Sequence, residues 1–505
     1  MTSVPPADGG SLADIMAERR RKAAGLAAQG TSPWGVDFHP DHTCAEAVAL
    51  APQTAGEIGN RVAVAGRILG LRRAGGIAFA DCHDQSGHIQ LLASRDVEGG
   101  SLLRQLADLD LGDLVGATGH LTRTRAGEPS LALDTLTLLA KSLRPPADKH
   151  HGVVDQELRY RRRYLDLLTD PSHRRIFRQR SRVVSALRQV LEERGFLEVE
   201  TPILQPIPGG GAARPFRTHH HSLDTDFYLR IALELYLKRL LVSGFERVYE
   251  MGRVFRNEGL SPRHNPEFTL LEAYQAYGNL ESMMDLSQAL VWAAAEAAAG
   301  EGEVPERTAQ LRPQYPRRSM TELVREVTGL DPDSVWESPA RMLQEARLRG
   351  AKVADGASAG VILFAAYEQL VEPGLEAPVF VTDYPLEVSP LARLSPDPRF
   401  TERFELVIGG RELANAFSEL NDPIDQRRRL EEQAKLLAAG DLEAQPFDQD
   451  FVEALEYGMP PAGGIGVGVD RLVMLVTGAP TIRDVLLFPT LRPEAAESAT
   501  REPLA

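Results

Sequence analysis

The residues best suited to chemistry lie in one short stretch of this 505-residue chain, residues 253–268. Its charged and aromatic side chains are Arg253, Arg256, Glu258, Arg263, His264 and Phe268. Guanidinium groups bind phosphate, a ring can stack on a nucleobase, and a carboxylate can accept hydrogen bonds from amine or hydroxyl groups. These residue types together indicate a nucleotide site, although the charges taken alone favour a basic surface hairpin.

Two runs typical of β-strands flank this stretch, at residues 245–255 and 268–274. The segment between them is polar and contains Gly and Pro, as expected for a hairpin loop. The hairpin would therefore hold the candidate side chains where strand meets loop.

The string FRNEGLSPRHNPEFTLLEAY, which begins at Phe255, resembles motif 2 of the class II aminoacyl-tRNA synthetases. Its form is that of the lysyl-tRNA synthetases, which belong to subclass IIb. A string of this length is far more specific than a short glycine motif. The resemblance runs from about residue 59 to Pro493 and includes all three class II motifs.

Length and composition indicate a multidomain globular protein. A chain of 505 residues exceeds what one core usually organises, and 43% hydrophobic with 25% charged residues is ordinary for such proteins. We expect no membrane span and no signal peptide, and so a cytoplasmic enzyme. Cys44 and Cys82 stand far apart, which argues against a disulfide framework or a cysteine zinc site.

The net charge of −15 argues at first against a nucleic-acid partner, because affinity for nucleic acid comes from neutralised phosphates. Local basic runs nevertheless occur at residues 19–22, 159–163 and 174–182. Each run alone favours a solvated helix face.

The first part of the chain predicts an extension and a small barrel. Residues 1–58 would form an N-terminal extension with a disordered start and an amphipathic helix from Ser11 to Gly30. Residues 59–145 contain five short β-rich runs, with a helix suggested between the third and fourth, which describes an OB-fold. Such barrels stack bases on exposed aromatic rings, and Phe79 is a candidate, although alone it is more typical of a core residue.

The same region resembles the anticodon-binding domain of class IIb synthetases. The resemblance implies that Phe79 stacks on the central anticodon base and that Gln90 reads it. It leaves open which of the nearby arginines at positions 67, 72 and 73 faces the RNA, and Arg72 is our candidate.

Residues 146–175 are expected to be a linker or hinge, and residues 176–493 a catalytic domain. The domain begins with a long amphipathic helix that stops at Gly195 and leads to a strand ending at Pro202. This order resembles class II motif 1, which implies a homodimer. Without the resemblance, a plain core helix would show the same periodicity.

Residues 209–221 contain two unusual runs. Gly209, Gly210 and Gly211 would allow close approach of the backbone to a ligand. His219–His221 could suggest a metal, but consecutive residues of an extended chain point to alternate sides, which favours a structural or phosphate-facing role. Lysyl enzymes usually have Ala at position 211 and Asn at position 221, so we expect a somewhat looser loop.

Beyond the hairpin, residues 285–375 predict a helical insertion, and a strand signature returns at 378–385. The later string GGIGVGVDRLVMLV resembles motif 3, with Arg471 at the junction of strand and helix. Residues 494–505 are expected to be a disordered tail.

Glu412 and Glu419 are candidate magnesium ligands, since Mg²⁺ prefers a few carboxylates together with phosphate oxygens. They are seven residues apart, so a regular strand would put them on opposite faces, and a bulge at residues 414–416 could correct this. The resemblance implies that both bind metal, with several Mg²⁺ ions accompanying ATP.

The resemblance also implies the remaining roles. ATP would contact the set Arg256, Glu258, His264, Phe268, Glu412 and Arg471, in which Arg256 and Arg471 are catalytic. Lysine would contact the set Gly210, Glu234, Glu272, Tyr274 and Asn421. Carboxylates and a phenol suit an alkylammonium side chain, whereas an aspartyl enzyme would need cations there. Glu234 alone, in a helical string, is more often a surface residue.

We therefore expect an α+β protein with an N-terminal five-stranded OB-fold barrel and a class II catalytic domain, built on an antiparallel sheet flanked by helices. The implied activity is an ATP-dependent lysine–tRNA ligase that uses ATP, L-lysine and lysine tRNA. One alternative is a relative that activates lysine for a non-tRNA acceptor. Another is a non-catalytic nucleic-acid-binding relative, which would lack some of the motif arginines or glutamates found here.

Overall fold

The computed structural model describes residues 11–95, 100–146, 155–300 and 304–493. The chain divides into two compact units, Met1–Ser172 and His173–Ala505. The predicted disordered start and tail, and residues 147–154 of the predicted linker, lie outside the described residues. Among the helices of the described ranges, none is long and apolar enough to cross a bilayer.

The first unit contains the predicted barrel. Within its described residues, five strands close in the order β1-β2-β3-β5-β4. The strands are β1 Ile58–Ala74, β2 Ile77–His83, β3 His88–Ser94, β4 Leu114–Arg123 and β5 Pro129–Ala140. The helices are α1 Leu12–Ala28, α2 Cys44–Leu50, α3 Ser101–Asp108, α4 Gln156–Arg161 and α5 Arg163–Thr169. Helix α3 lies between β3 and β4, which confirms the OB-fold prediction.

Helix α1 packs on this barrel in spite of its basic sequence. Ser11 caps its first turn by accepting a hydrogen bond from the N–H of Asp14. Arg19 is buried and donates to the carbonyls of Leu111 and Ser142. The first side chain of the basic run therefore holds the helix in place.

The second unit is built on one large sheet. In its described part, eight strands follow the order β12-β13-β14-β15-β16-β11-β10-β6, and a small sheet has the order β7-β9-β8. The strands are β6 Leu197–Glu198, β7 Leu204–Gln205, β8 Arg217–His220, β9 Thr225–Leu229, β10 Arg247–Phe255, β11 Glu267–Ala276, β12 Arg317–Ser319, β13 Val379–Pro385, β14 Phe400–Val407, β15 Glu412–Ser418 and β16 Ala462–Gly468. Neighbours in the large sheet are antiparallel, as predicted, except the edge pairs β10–β6 and β12–β13.

Helices flank this sheet, as predicted. They are α6 Arg174–Glu193, α7 Glu234–Val242, α8 Leu280–Ala299, α9 Glu306–Ala309, α10 Met320–Thr328, α11 Ser334–Glu337, α12 Pro339–Leu348, α13 Ala359–Leu370, α14 Pro423–Ala438, α15 Gln449–Glu456, α16 Val469–Thr477 and α17 Ile482–Val485. The predicted helical insertion contains α9 to α13, but the short strand β12 lies within it and was not predicted.

Side-chain alternation along β11 separates the core from the site. Leu271 and Ala273 are buried in the cluster that includes α6, α8 and α16. Phe268, Glu272 and Tyr274 point to the other face, where they line a cavity. The sheet therefore has one face packed by helices and one face that can hold a ligand.

Candidate active site

The hairpin of β10 and β11 brings a predicted cation and a predicted ring together. Val254 pairs with Phe268, and the N–H of Arg256 donates to the carbonyl of Pro266 over 2.8 Å. The Arg256 guanidinium lies over the Phe268 ring, 5.2 Å from its centre. The two groups thus lie at the loop end of the hairpin.

A cavity of about 210 Å³ lies on the ligand face of the sheet. The predicted site residues in its wall are Gly210, Glu234, Arg256, Glu258, His264, Phe268, Glu272, Tyr274, Glu412 and Arg471. The fold therefore gathers into one place residues that are spread over more than half of the chain.

One end of the cavity is cationic. Arg471, in the first turn of α16, donates from Nη1 to the carbonyl of Glu412 over 2.8 Å and lies 3.3 Å from the Glu412 carboxylate. Its Nη2 is 3.4 Å from Nε2 of His264. Burial, and next the charge of Arg471, lower the pKa of His264, so its imidazole is neutral at pH 7. The charge at this end comes from arginine rather than from histidine.

The other end is acidic and buried. Glu272 accepts hydrogen bonds from the N–H of Leu233 over 3.0 Å and from the hydroxyl of Tyr274 over 2.9 Å. Burial, and next the charge of Glu234, raise the pKa of Glu272 from 4.5 to about 7. A cation bound beside this carboxyl would favour its ionised form.

Lys238 is enclosed among the same carboxylates. Its ammonium lies 2.6 Å from Glu234 and forms a second ion pair with Glu419. Burial lowers the pKa of Lys238, but the two carboxylates raise it above its ordinary value, so the ammonium stays charged. One internal cation thus pairs with two members of a group of three carboxyl side chains, Glu234, Glu272 and Glu419.

Gly210 approaches this acidic group closely. Its φ is +82°, a conformation that side chains rarely adopt, and an added Cβ would lie 3.0 Å from Cβ of Glu234. Glycine is therefore required here for both backbone conformation and space.

The barrel of the first unit carries its own candidate residues. On β2, Phe79 lies on the outward face between buried Ala78 and Ala80, and it pairs with Arg72 of β1. Its ring is partly exposed, whereas the alternative interpretation, a core residue, would require a buried ring. Gln90 is largely buried and accepts a hydrogen bond from Ser130 over 3.0 Å.

The Arg72 side chain forms an ion pair with Asp81 over 2.8 Å. Arg72 and Phe79 also line a cavity of about 190 Å³ beside α3. The barrel therefore presents a ring and a cation side by side on its outer surface.

Comparison with known protein families identifies the family to which the chain belongs. The model described as "tRNA synthetases class II (D, K and N)" matches residues 155–492, and the model "OB-fold nucleic acid binding domain" matches residues 62–139. The chain belongs to the class II tRNA synthetases.

Several relatives resemble this class II synthetase along nearly their whole length. The lysine–tRNA ligase of Moorella thermoacetica is 50% identical, over 95% of this chain and 98% of its own. That of Thermosynechococcus vestitus is 48% identical over 97% and 98%, and that of Bacillus subtilis 46% over 95% and 98%. The match covers both units.

A β-bulge sets the direction of Glu412 in this synthetase. Leu406 pairs with Ala414 and Val407 pairs with Glu412, so Leu413 is the extra residue. The predicted bulge at residues 414–416 was placed too late. As a result Glu412 shares the cavity face with Asn415 and Phe417.

Glu419 and Asn421 lie outside the cavity wall. Glu419 is buried against Gly464 and paired with Lys238, so it belongs with the acidic group and not with Glu412. Asn421 donates to the carbonyl of Met459 over 3.2 Å. Metal binding by Glu419 and lysine binding by Asn421 therefore stay predictions. The asparagine that lines the cavity is Asn415.

Glu405 is a candidate that the sequence analysis missed. It is buried on β14, opposite Asn415, and accepts a hydrogen bond from Arg403 over 2.7 Å. Burial, and next the charge of Glu412, raise its pKa, so the two carboxylates are close enough to repel. The signal was present in the alternation of charged Arg403 and Glu405 with apolar Phe404 and Leu406.

The histidine run is placed away from these groups. His219 and His220 lie on the exposed strand β8, and Nδ1 of His219 is 2.9 Å from Asp226. Across the described ranges, no group of three or more His, Cys, Asp or Glu side chains is arranged to hold a metal ion.

Proposed function

We propose that this synthetase activates L-lysine with ATP and transfers it to the 3′ end of lysine tRNA, with release of pyrophosphate and AMP. The charge of the acidic group is the observation that supports lysine as the amino-acid substrate. Among the described residues of this group, three carboxyl groups, Glu234, Glu272 and Glu419, accompany one cation, Lys238. Burial raises the pKa of Glu272 to about 7 and that of Glu419 to about 8, and a bound ammonium group of lysine would stabilise their ionised forms.

The first step joins two anions. A carboxylate oxygen of lysine attacks the α-phosphorus of ATP, and the bond from this phosphorus to the bridging β-oxygen breaks, with its electrons leaving on pyrophosphate. No general base is needed, because the attacking carboxylate is already ionised. Arg256 shares the cavity with both the acidic group and Phe268, so it is suited to neutralise charge at the reacting centre.

The remaining nucleotide contacts follow from the same cavity. Adenine would stack on Phe268, with Glu258 and His264 as polar contacts, and Arg471 would neutralise phosphate charge at the cationic end. His264 is suited to donate or accept a hydrogen bond rather than to supply charge, because its pKa is lowered.

The carboxylates of Glu405 and Glu412 fit magnesium. Glu405 is buried, the Glu412 side chain is 37% exposed, and a divalent cation would remove the repulsion between them. We propose that these two residues hold Mg²⁺, while the metal role of Glu419 stays a prediction. Bound magnesium would neutralise phosphate charge. Two carboxylates are enough when ATP supplies further oxygen ligands.

Two further proposals concern partners. The partly exposed ring of Phe79, with Arg72 beside it, suits an anticodon base, and Gln90 would read that base. A homodimer through the motif 1 segment is supported by the exposed apolar side chains of Leu197, Ile203 and Leu204. We also propose that the enzyme acts in the cytoplasm, where it would meet the tRNA that it charges.

Exchange of labelled pyrophosphate into ATP, measured with each amino acid in turn, tests the activation step. We expect exchange with lysine, and charging of lysine tRNA by the same preparation. Exchange that depends on another amino acid alone would disprove the proposal.

The substitution Phe79→Ala tests the tRNA step separately. Loss of base stacking, about 1–3 kcal/mol, should reduce charging by about 5-fold to 150-fold while pyrophosphate exchange is retained. Phe79→Trp is the control, since it keeps an aromatic face. Equal charging by wild type and Phe79→Ala would show that Phe79 does not contact the anticodon, and absence of charging by the wild type would favour an acceptor other than tRNA.

A further inference from the structure

A second cavity of about 200 Å³ adjoins the candidate active site. Glu412, Leu413 and Arg471 line both cavities, and Arg411 and Met474 line the second. The pair of Glu412 and Arg471 therefore forms the partition between the two spaces. A charged group that moved past Arg471 would enter the second cavity next to Arg411.

Arg411 forms no ion pair within 4.0 Å in the part of the chain that the structure describes. Its Nε is buried and has no hydrogen-bond partner. By contrast, Arg471 on the partition is paired with Glu412. A buried guanidinium N–H that lacks a partner is costly, so its presence in a cavity indicates a ligand with acceptor oxygens.

The charges around Arg411 point to an anionic ligand. Arg263 and Arg471 are the cations that repel the Arg411 guanidinium, and Glu376 is the carboxylate that attracts it. Arg263 lines the main cavity, and Arg471 lines both. Three arginines thus share a region in which Glu412 is already engaged by one of them, so positive charge is in excess.

We propose that Arg411 and the second cavity form a subsite for the pyrophosphate that leaves the α-phosphorus during adenylation. The inference rests on the proposed function, which supplies this product. Pyrophosphate carries several negative charges and many acceptor oxygens, and an arginine can bind two of these oxygens at once. After the bond to the α-phosphorus breaks, the product moves past Arg471 and is held by Arg411, away from the new adenylate.

The substitution Arg411→Gln removes the charge and tests this subsite. We expect the KM for pyrophosphate in lysine-dependent exchange to rise about 10-fold to 100-fold, as for loss of a charged hydrogen bond. The KM for ATP in single-turnover adenylation should stay within about twofold, because Arg411 acts after bond cleavage. Arg411→Lys should give an intermediate KM for pyrophosphate, since it keeps the charge without the paired donors.

A matched control is Arg325→Gln, which removes an exposed arginine that pairs with Asp333 at 3.0 Å. It should change neither KM. An unchanged KM for pyrophosphate in Arg411→Gln would overturn the proposal. So would a KM for ATP that rises by the same factor, or an effect confined to the KM for tRNA, since these would assign Arg411 to ATP or to a tRNA phosphate.

Thermal unfolding separates the subsite from a structural role and from the proposed function. Inorganic pyrophosphate alone should raise the Tm of the wild type and of Arg325→Gln, but not that of Arg411→Gln. Without ligand, Arg411→Gln should melt at or above the wild-type Tm, because the repulsion of Arg411 by Arg263 and Arg471 is lost. A lower ligand-free Tm with an intact pyrophosphate shift would overturn the subsite, whatever the exchange assay shows for lysine.

Discussion

At the scale of single residues, the candidate site is dominated by charged side chains that are wholly or partly buried. Carboxylates at one end are stabilised by Lys238, and arginines at the other end are stabilised by Glu412. Neither end is balanced internally, and burial makes an unbalanced charge costly. A substrate that carries ammonium groups and a nucleotide that carries phosphates would correct both ends together.

The substitution Arg256→Ala should reduce lysine-dependent pyrophosphate exchange by about 10²-fold to 10³-fold, because it removes a positive charge that is aimed at the reacting phosphate. Single-turnover adenylation measures the loss directly. Arg253→Ala is the control, since Arg253 lies three residues away and its side chain is 41% exposed beside Glu267. Similar losses in the two variants would show that general charge, and not the position of Arg256, matters.

Lysine affinity should fall as the pH decreases from 8 to 6. The pKa of Glu272 is raised to about 7, so the folded enzyme without ligand holds a proton on this group below pH 7. Lysine binds the ionised form and must displace that proton, which reduces affinity by up to about tenfold for each pH unit below the pKa. Titration calorimetry at several pH values measures the change.

Without lysine, the stability of the fold should change with pH in the opposite direction to the lysine affinity. A raised carboxyl pKa means that the folded state binds more protons than the unfolded state, so its contribution to stability decreases as the pH rises from about 4.5 through 7. Lysine should therefore raise Tm more at pH 8 than at pH 6. In Glu272→Gln the pH dependence should flatten, and a dissociation constant that does not vary with pH in the wild type would contradict this assignment.

At the scale of elements, one buried carboxylate joins three parts of the catalytic unit. Asp470 in α16 accepts a hydrogen bond from the N–H of Thr269 in β11 over 2.7 Å. It also lies 2.5 Å from Arg180 of α6. The motif 3 helix, the motif 2 strand and the motif 1 helix are therefore held in one arrangement, which fixes Arg471 relative to Phe268.

The substitution Asp470→Asn should lower the free energy of unfolding of the catalytic unit by about 3–5 kcal/mol, because it leaves Arg180 without its buried partner. Denaturant unfolding followed by tryptophan fluorescence measures the loss. Asp285→Asn, on the exposed side of α8, should change the value by less than about 0.5 kcal/mol. If Asp470→Asn were as stable as wild type, this carboxylate would not be the group that holds the three elements together.

At the scale of the whole molecule, apolar side chains are exposed near the end of the large sheet. Leu197 lies on the edge strand β6, and Ile203 and Leu204 follow it, with 49%, 45% and 46% of their surfaces exposed. Unpaired strand edges with apolar side chains are suited to pairing with another chain. This segment follows the motif 1 helix, which is where the resemblance places a two-fold interface.

Sedimentation should give a wild-type mass of two chains. The double substitution of Leu197→Asp and Leu204→Asp should shift it towards one chain, because the aspartates would place charge in a buried apolar interface. Leu442→Asp is the control, since Leu442 is 55% exposed elsewhere on the catalytic unit. A wild type that sediments as a single chain would exclude the homodimer.

Local sequence patterns were enough to predict the OB-fold and the hairpin that presents Arg256 and Phe268. Strand alternation, turn residues and cap residues act over a few positions, so these features can be predicted locally. The same holds for Gly210, where a glycine run marks a close approach of the backbone.

Which carboxylates lie together could be seen only in the folded chain. A single extra residue at Leu413 turns Glu412 towards Asn415, and burial of Lys238 draws Glu419 to Glu234. Glu405 enters the site because β14 pairs with β15, although its own string reads as an ordinary strand. Bulges, strand partners and buried ion pairs depend on residues far apart in the chain, and for this reason local spacing could not assign them.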